Sequence, residues 1–192
     1  TFKEAGQEIR KMAAYLKGLD IPEKSNIAMI SKNCAHWIMC DLAIMMSGHV
    51  SVPMYPNLNE ETVRQILEHS ESKLLFVGKL DDWASMKPGV PEGLQCIAFP
   101  FYSEPGYEVW DNLIKDVEPI KENVVRDPQE LATIIYTSGT TGKPKGVMHK
   151  FHNFSFAATH AIDHIKLAEK PQKFFSYLPL CHIAERFLVE MG

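Results

Sequence analysis

One stretch of the sequence combines glycines, hydroxyl groups and lysines in a way that suits the binding of phosphate. Residues 136–147 read YTSGTTGKPKGV and hold three glycines, four serine or threonine hydroxyls and two lysines. Glycines let the backbone adopt positive φ angles and turn N–H groups toward one point, and the lysines add positive charge. The stretch predicts a loop that binds the phosphates of a nucleoside triphosphate, with these candidate residues: Thr137, Ser138, Gly139, Thr140, Thr141, Gly142, Lys143, Lys145 and Gly146.

The residues on either side of this loop predict a β-hairpin. Residues 131–135 form a short, continuous and partly β-branched apolar run, which is typical of a buried strand. Val147 and Met148, which follow the last glycine, indicate a second strand rather than a helix. The loop is therefore expected at the tip of a hairpin, and a flexible surface turn is the alternative.

The spacing does not fit the commonest phosphate-binding loop. A P-loop has a glycine, four residues and then Gly-Lys-Ser/Thr at the start of a helix. Here Thr137 stands where the first glycine would be, and Pro144 follows Lys143 and offers no hydroxyl to a magnesium ion. A P-loop phosphotransferase is excluded on these grounds. For either lysine taken alone, a solvated surface position stays open.

The composition is that of an ordinary globular protein. The 192 residues are 45% hydrophobic and 23% charged, enough for one domain with a core or for part of a larger one. A net charge of −4 argues against nucleic acid as a main partner. The cysteines show no C-x-x-C spacing, which favours buried thiols in a reducing cytoplasm over zinc or disulfides. No apolar run reaches 18 residues, so no transmembrane segment is expected.

Apolar spacing predicts helices and strands that alternate along the chain. Helices are expected from an N-cap at Thr1 to Gly18, over 34–46, from Asn59, around Trp110, from a cap at Asn153, and near the end. Strands are expected at 27–30, 48–53, 74–77, 96–99 and 173–177. This alternation indicates an α/β fold with a mostly parallel sheet and helices on both faces. The charged, proline-interrupted segment 116–130 is expected at the surface.

Three segments resemble motifs of one known family. The decapeptide 137–146 resembles, without a gap, the signature of the adenylate-forming (ANL) superfamily of AMP-binding enzymes, which includes acyl-CoA synthetases and luciferases. Residues 48–56 resemble an earlier motif of that family. Residues 177–186, YLPLCHIAER, are similar to the motif downstream of the loop, in the form found in long-chain fatty acid–CoA ligases. The likeness covers nearly the whole chain.

The resemblance implies a domain assignment. Residues 1–192 would be an incomplete N-terminal (AMP-binding) domain, part of the large domain of an acyl-activating enzyme. The C-terminal part of that domain and the small C-terminal domain would be absent, together with the family's adenine, ribose and catalytic-lysine motifs. The chain is therefore expected to be a fragment that supplies the phosphate-binding loop and lacks activity alone.

The resemblance also implies a reaction in two halves. A fatty acid carboxylate attacks the α-phosphorus of ATP, pyrophosphate leaves, and the acyl-adenylate then reacts with coenzyme A to give acyl-CoA and AMP. ATP, Mg²⁺ and coenzyme A, the last as a substrate, are the expected small molecules. Lys145 and His182 are expected to act in catalysis, and Thr137 is expected to contact the metal. A purely structural role for His182 stays open.

Other polar residues are given no catalytic role. His160 and His164 stand four apart on one predicted helix, but no glutamate or third ligand completes a zinc site. Glu185 and Arg186 are expected to pair with each other or to cap the last helix.

The expected partners are small molecules, without nucleic acid and without a membrane span. A cytoplasmic location is expected, while peripheral membrane association and a homodimer stay open. Two alternative functions remain, an adenylate-forming ligase for another carboxylate and a nucleotide-binding module without catalysis.

Overall fold

The computed structural model describes residues 1–137, 143–165 and 175–191. Within these residues the strands form one seven-stranded sheet in the order β5-β4-β3-β1-β2-β6-β7. All neighbouring strands are parallel except β6 and β7. The strands are β1 (Asn26–Ile30), β2 (Val50–Met54), β3 (Leu74–Val77), β4 (Gln95–Ala98), β5 (Glu108–Val109), β6 (Leu131–Thr137) and β7 (Lys145–Lys150).

Helices connect these strands and cover the sheet. They are α1 (Phe2–Lys17), α2 (Ala35–Met46), α3 (Glu60–His69), α4 (Trp83–Met86), α5 (Trp110–Ile114), α6 (Phe151–Ile165) and α7 (Ile183–Met191), with a 3₁₀ turn, Lys87–Gly89, after α4. None of the helices in the described ranges is long and apolar enough to cross a membrane.

Local signals decide where the first and third helices begin. The Thr1 hydroxyl accepts a hydrogen bond from the Glu4 N–H, and the Glu4 carboxylate accepts one from the N-terminal amine, which completes the predicted capping box. The Asn59 side chain accepts a hydrogen bond from the Thr62 N–H at the start of α3. Both predicted helix starts are confirmed.

The central strand β1 separates two apolar cores. Ile27 and Met29 pack in a cluster with α1, α2 and α5, whereas Ala28 and Ile30 pack in a second cluster with α3 and α4. Successive side chains of a strand point to opposite faces, so helices cover both faces of the sheet. The predicted α/β class with a mostly parallel sheet is confirmed.

Both strands of the predicted hairpin are present. β6 and β7 pair antiparallel, and the ladder runs from Leu131 opposite Lys150 to Thr137 opposite Lys145. The predicted tip residues 138–142 lie outside the described residues. Because β6 also pairs parallel with β2, the hairpin is a continuation of the main sheet rather than a separate unit.

Two local predictions are wrong. Asn153 is not the N-cap residue of α6, because the helix begins at Phe151. Its side chain instead accepts a hydrogen bond from the N–H of Lys150, the residue before the helix, as the third helical residue of a capping box does. No strand includes residues 175–177, which have no pairing partner in the described sheet. The other two residues of that predicted strand, Lys173 and Phe174, lie outside the described residues.

Candidate phosphate-binding site

The hairpin base lies at the edge of the sheet where its parallel strands end. β1, β2 and β6 run in the same direction, so Thr137 lies at the same edge as Met54, the last residue of β2. In open α/β sheets, ligands bind in the crevice outside these carboxyl ends. The predicted loop therefore leaves the sheet where a binding site is expected.

Two clefts flank the base of the hairpin. The first has a volume of about 560 Å³ and lies between α3 and the hairpin; its lining is Met54, Tyr55, Asn57, Leu58, Thr62, Ile66, Tyr136, Thr137 and Pro144. The second has about 540 Å³ and is lined by Gln65, Glu68, His69, Lys143 and Pro144. Both volumes lie in the usual range for small-molecule sites, and Pro144 belongs to both linings.

No described residue neutralises the positive charge of the two loop lysines. Lys143 and Lys145 are exposed, and neither ammonium group has an ion-pair partner among the described residues. Lys145 pairs with Thr137 in the β6–β7 ladder, and this pairing fixes the backbone position from which the Lys145 side chain extends. Two available cations at one end of a hairpin suit a polyanion such as a triphosphate.

Tyr136, which the sequence did not single out, joins the hairpin to α3. Its side chain is buried, and its hydroxyl lies 2.7 Å from Nδ1 of His69, with the two rings edge to face at 5.7 Å. Burial raises the pKa of Tyr136, so the hydroxyl stays protonated. Since Tyr136 directly precedes Thr137, this contact fixes the strand end that leads into the loop.

Gly146 has a packing role that its sequence motif did not predict. It lies opposite Tyr136 in the ladder, and a Cβ at this position would meet Ile134 Cγ2 at 2.8 Å and Tyr136 Cζ at 3.2 Å. The absence of a side chain therefore lets β7 lie close over two side chains of β6. Its contact with a nucleotide stays a prediction.

His182 lies in a segment that is fixed to the same edge of the sheet. Asn33, which follows β1, donates a hydrogen bond to the Leu178 carbonyl and accepts one from the Leu180 N–H, both at 2.8 Å. The His182 ring is exposed, and its Nδ1 accepts a hydrogen bond from the Ala184 N–H at 3.3 Å. It makes no hydrogen bond with the described residues of the hairpin, so its catalytic role stays a prediction.

A buried ion pair holds α7 in place. The Arg186 guanidinium bonds to the Asp41 carboxylate of α2, and both side chains are fully buried. Arg186 also donates to the Thr133 hydroxyl of β6, and the Ser51 hydroxyl of β2 donates to Asp41. The network joins α7 to the strands on which the hairpin is built.

The prediction that Glu185 and Arg186 pair with each other or cap α7 is therefore wrong. Arg186 pairs with Asp41 instead, and Glu185 accepts a hydrogen bond from the Leu178 N–H. The sequence did contain a signal for this ion pair: Asp41 is a carboxylate within an otherwise apolar helix, and a buried charge requires a partner.

Comparisons with known proteins agree with the predicted family. A family model described as AMP-binding enzyme matches residues 1–192. The long-chain-fatty-acid–CoA ligase heimdall of Drosophila melanogaster is 29% identical over 202 residues, which cover 96% of this chain and 30% of that protein. A chloroplastic long-chain-fatty-acid–acyl-carrier-protein ligase of Arabidopsis thaliana is 30% identical, over 97% of this chain and 29% of that protein. The chain thus spans about 30% of the length of the curated relatives it matches.

A solved structure supports the same grouping. O-succinylbenzoate coenzyme A synthetase from Bacillus subtilis, in complex with ATP and magnesium ion, is similar with a TM-score of 0.78 and 25% sequence identity. The match covers 100% of this chain and 47% of that one. The α/β architecture described above is therefore that of an adenylate-forming ligase domain.

Proposed function

The chain belongs to the AMP-binding enzyme family, and we propose that it is part of an AMP-forming acid–thiol ligase that converts long-chain fatty acids to acyl-CoA. A carboxylate oxygen attacks the α-phosphorus of ATP, and pyrophosphate leaves. The thiolate of coenzyme A then attacks the acyl carbon of the acyl-adenylate, and AMP leaves. The names of relatives such as the Drosophila melanogaster ligase support the choice of acid and thiol.

One observation carries this proposal: β6 ends at the carboxyl edge of the sheet, and the described part of the hairpin loop there carries two exposed lysines without described ion-pair partners. Negative charge grows on phosphoryl oxygens as pyrophosphate leaves, and cations that are already in position stabilise that charge. In this proposal, Lys143 and Lys145 bind the β- and γ-phosphates together with the loop amides and hydroxyls. Lys145 thereby also acts in catalysis.

The described part of the site fits Mg²⁺ that is already bound to ATP. Its residues are less suited to binding a metal ion on their own. The lining of the larger cleft contains no carboxylate, and Thr137 brings a single hydroxyl. Mg²⁺ prefers several oxygen ligands and keeps many of its waters, so phosphate oxygens and water would supply most of its ligands. Bound Mg²⁺ would neutralise phosphate charge during pyrophosphate release, and Thr137 would provide one of its contacts.

Residues 1–192 are proposed to form an incomplete N-terminal AMP-binding domain of a longer cytoplasmic enzyme. In that enzyme, sequence beyond these residues would supply the adenine and ribose contacts. His182, exposed at the edge shared with the hairpin, would orient the carboxylate. The chain alone would bind a triphosphate weakly and would not form acyl-adenylate.

Equilibrium binding of Mg²⁺-ATP to the chain tests the phosphate site directly. We expect the double substitution Lys143→Ala and Lys145→Ala to weaken binding at least about tenfold, because each charge-assisted hydrogen bond contributes roughly 1.5–3 kcal/mol. Lys150→Ala is the matched control, since Lys150 is also exposed on β7 but bonds to Gln129. Equal binding by the double variant and the control would overturn the assignment of the loop.

Fatty-acid-dependent exchange of pyrophosphate into ATP tests the reaction, in a longer protein that contains this chain. Exchange that is lost in the lysine double variant supports the ligase. Tight ATP binding by the chain without any exchange in the longer protein would instead indicate a nucleotide-binding module.

Acyl carrier protein is the second candidate for the accepting thiol. The Arabidopsis thaliana relative, named for that acceptor, is as similar to this chain as the CoA ligase relatives are. Assays of thioester formation with coenzyme A and with acyl carrier protein distinguish the two acceptors, and a panel of carboxylates tests the fatty acid.

A further inference from the structure

Three potential metal ligands converge at the other side of the sheet, away from the hairpin. Glu8 of α1, His36 of α2 and Asp111 of α5 each offer one ligand atom, and these atoms all lie within 4.8 Å of one another. The His36 ring lies against Phe99 and Trp110, beside β4 and β5. The hairpin strands β6 and β7 lie at the opposite end of the strand order, so this cluster is separate from the proposed ATP site.

The distances suit a shared cation better than direct hydrogen bonds. His36 Nε2 lies 3.8 Å from Glu8 Oε2, which is too long for a hydrogen bond. Around a tetrahedral metal with bonds near 2.1 Å, neighbouring ligand atoms stand about 3.4 Å apart. A small side-chain movement would therefore bring both ligand atoms onto one ion.

The His36 imidazole is prepared to act as a ligand. Its Nε2 is buried and has no hydrogen-bond partner among the described residues. Trp110 contacts the ring edge to face at 5.6 Å between centroids, and Phe99 lies at 6.0 Å, so the ring orientation is fixed.

An open cleft gives a metal access to the two carboxylates of the cluster and leaves room for water ligands. The cleft has a volume of about 350 Å³, and both Glu8 and Asp111 line it. Lys11 also lines it, but its ammonium group donates hydrogen bonds to the Ile114 and Lys115 carbonyls. That lysine is therefore engaged with the end of α5 rather than paired with either carboxylate.

We propose that Glu8, His36 and Asp111 bind one divalent transition-metal ion and thereby join α1, α2 and α5. One imidazole and two carboxylates suit Zn²⁺ or Mn²⁺, with water completing the coordination. The site is structural, because it lies away from the proposed ATP cleft. Its occupancy stabilises the helical layer on this face, since a ligand that binds only the folded state raises its stability.

Calorimetric titration of the metal-free 192-residue chain with Zn²⁺, and separately with Mn²⁺, tests this site. We expect one equivalent to bind and the unfolding temperature to rise with it. Asp111→Asn and Glu8→Gln should each weaken this binding by more than about tenfold and remove the thermal shift. Asp116→Asn and His152→Gln are matched controls, because both residues are exposed and lie outside the cluster.

Asp111 is exposed, so its substitution tests metal binding without disturbing the fold. His36→Gln changes a half-buried ring and could unfold the chain, whereas Asp111→Asn should leave the circular dichroism spectrum unchanged. The proposal is overturned if neither metal binds stoichiometrically, or if Asp111→Asn binds as tightly as Asp116→Asn. Loss of ATP binding has no bearing on this result, so failure of the metal site and failure of the proposed ligase function are separate outcomes.

Discussion

The Tyr136 hydroxyl lies 2.7 Å from Nδ1 of His69, and this contact joins the strand before the loop to the last turn of α3. The two residues are 67 positions apart in the sequence. His69 also lines the cleft that contains Lys143. The contact therefore connects a wall of that cleft to the base of the hairpin.

The first prediction concerns this contact. We expect Tyr136→Phe to lower the free energy of unfolding by about 1 kcal/mol, the usual net value of one hydrogen bond. His69→Gln, alone and combined with Tyr136→Phe, completes a double-mutant cycle in urea. A coupling energy of about 0.5–1.5 kcal/mol is expected. A coupling near zero would mean that the hydroxyl and the imidazole do not stabilise each other.

The second prediction concerns the buried pair of Asp41 and Arg186. Removing one partner of a buried ion pair leaves an uncompensated charge, so Asp41→Asn should cost about 3–5 kcal/mol in urea unfolding. Asp41→Asn together with Arg186→Met removes both charges and should recover part of that loss. If the double variant is as unstable as the sum of the single variants, the two charges do not interact.

The third prediction separates packing from ligand binding at Gly146. Gly146→Ala should destabilise the chain by about 1–3 kcal/mol, because the added methyl group would overpack against Ile134 and Tyr136. Gly6→Ala is the control: nothing lies within 4 Å of its added Cβ, and alanine in a helix should stabilise by about 1 kcal/mol. Thermal unfolding without nucleotide measures both effects. An unchanged Gly146→Ala variant would remove the packing explanation.

The general fold could be predicted because its signals are local. The capping box at Thr1, the cap at Asn59 and the apolar strand at 27–30 each lie within a few neighbouring residues. The order of the strands could not be predicted in the same way. The central position of β1 depends on its pairing with both β2 and β3, and no local pattern encodes these two contacts.

Only part of the candidate site could be predicted from the sequence. Its loop is one contiguous motif, so it was recognisable in the sequence. The side chains that support it come from distant segments: Arg186 is 145 positions from Asp41, and Asn33 is 145 positions from Leu178. Tertiary packing alone brings them together. The incorrect prediction for Arg186 arose because only its sequence neighbours were considered as partners.

The fourth prediction is that the chain loses stability as the pH falls from about 6.5 toward 5. Burial lowers the pKa of His49 and of His149, and the nearby charges of Arg126 and Arg186 respectively act in the same direction. The unfolded chain, with histidine pKa values near 6.5, then binds more protons than the folded chain. Stability therefore rises with pH through this window and falls as the histidines are protonated.

Urea unfolding at several pH values between 5 and 7.5 measures this effect. Each histidine contributes at most about 1.4 kcal/mol per pH unit within its window, so His49→Gln should flatten the profile without abolishing it. The Lys24 and Arg126 side chains lower the pKa of Glu130 to about 2. The stability that ionised Glu130 contributes is therefore lost only below about pH 4.5, outside the pH range in which the histidines titrate. An identical pH profile in wild type and His49→Gln would show that the His49 pKa is the same in both states.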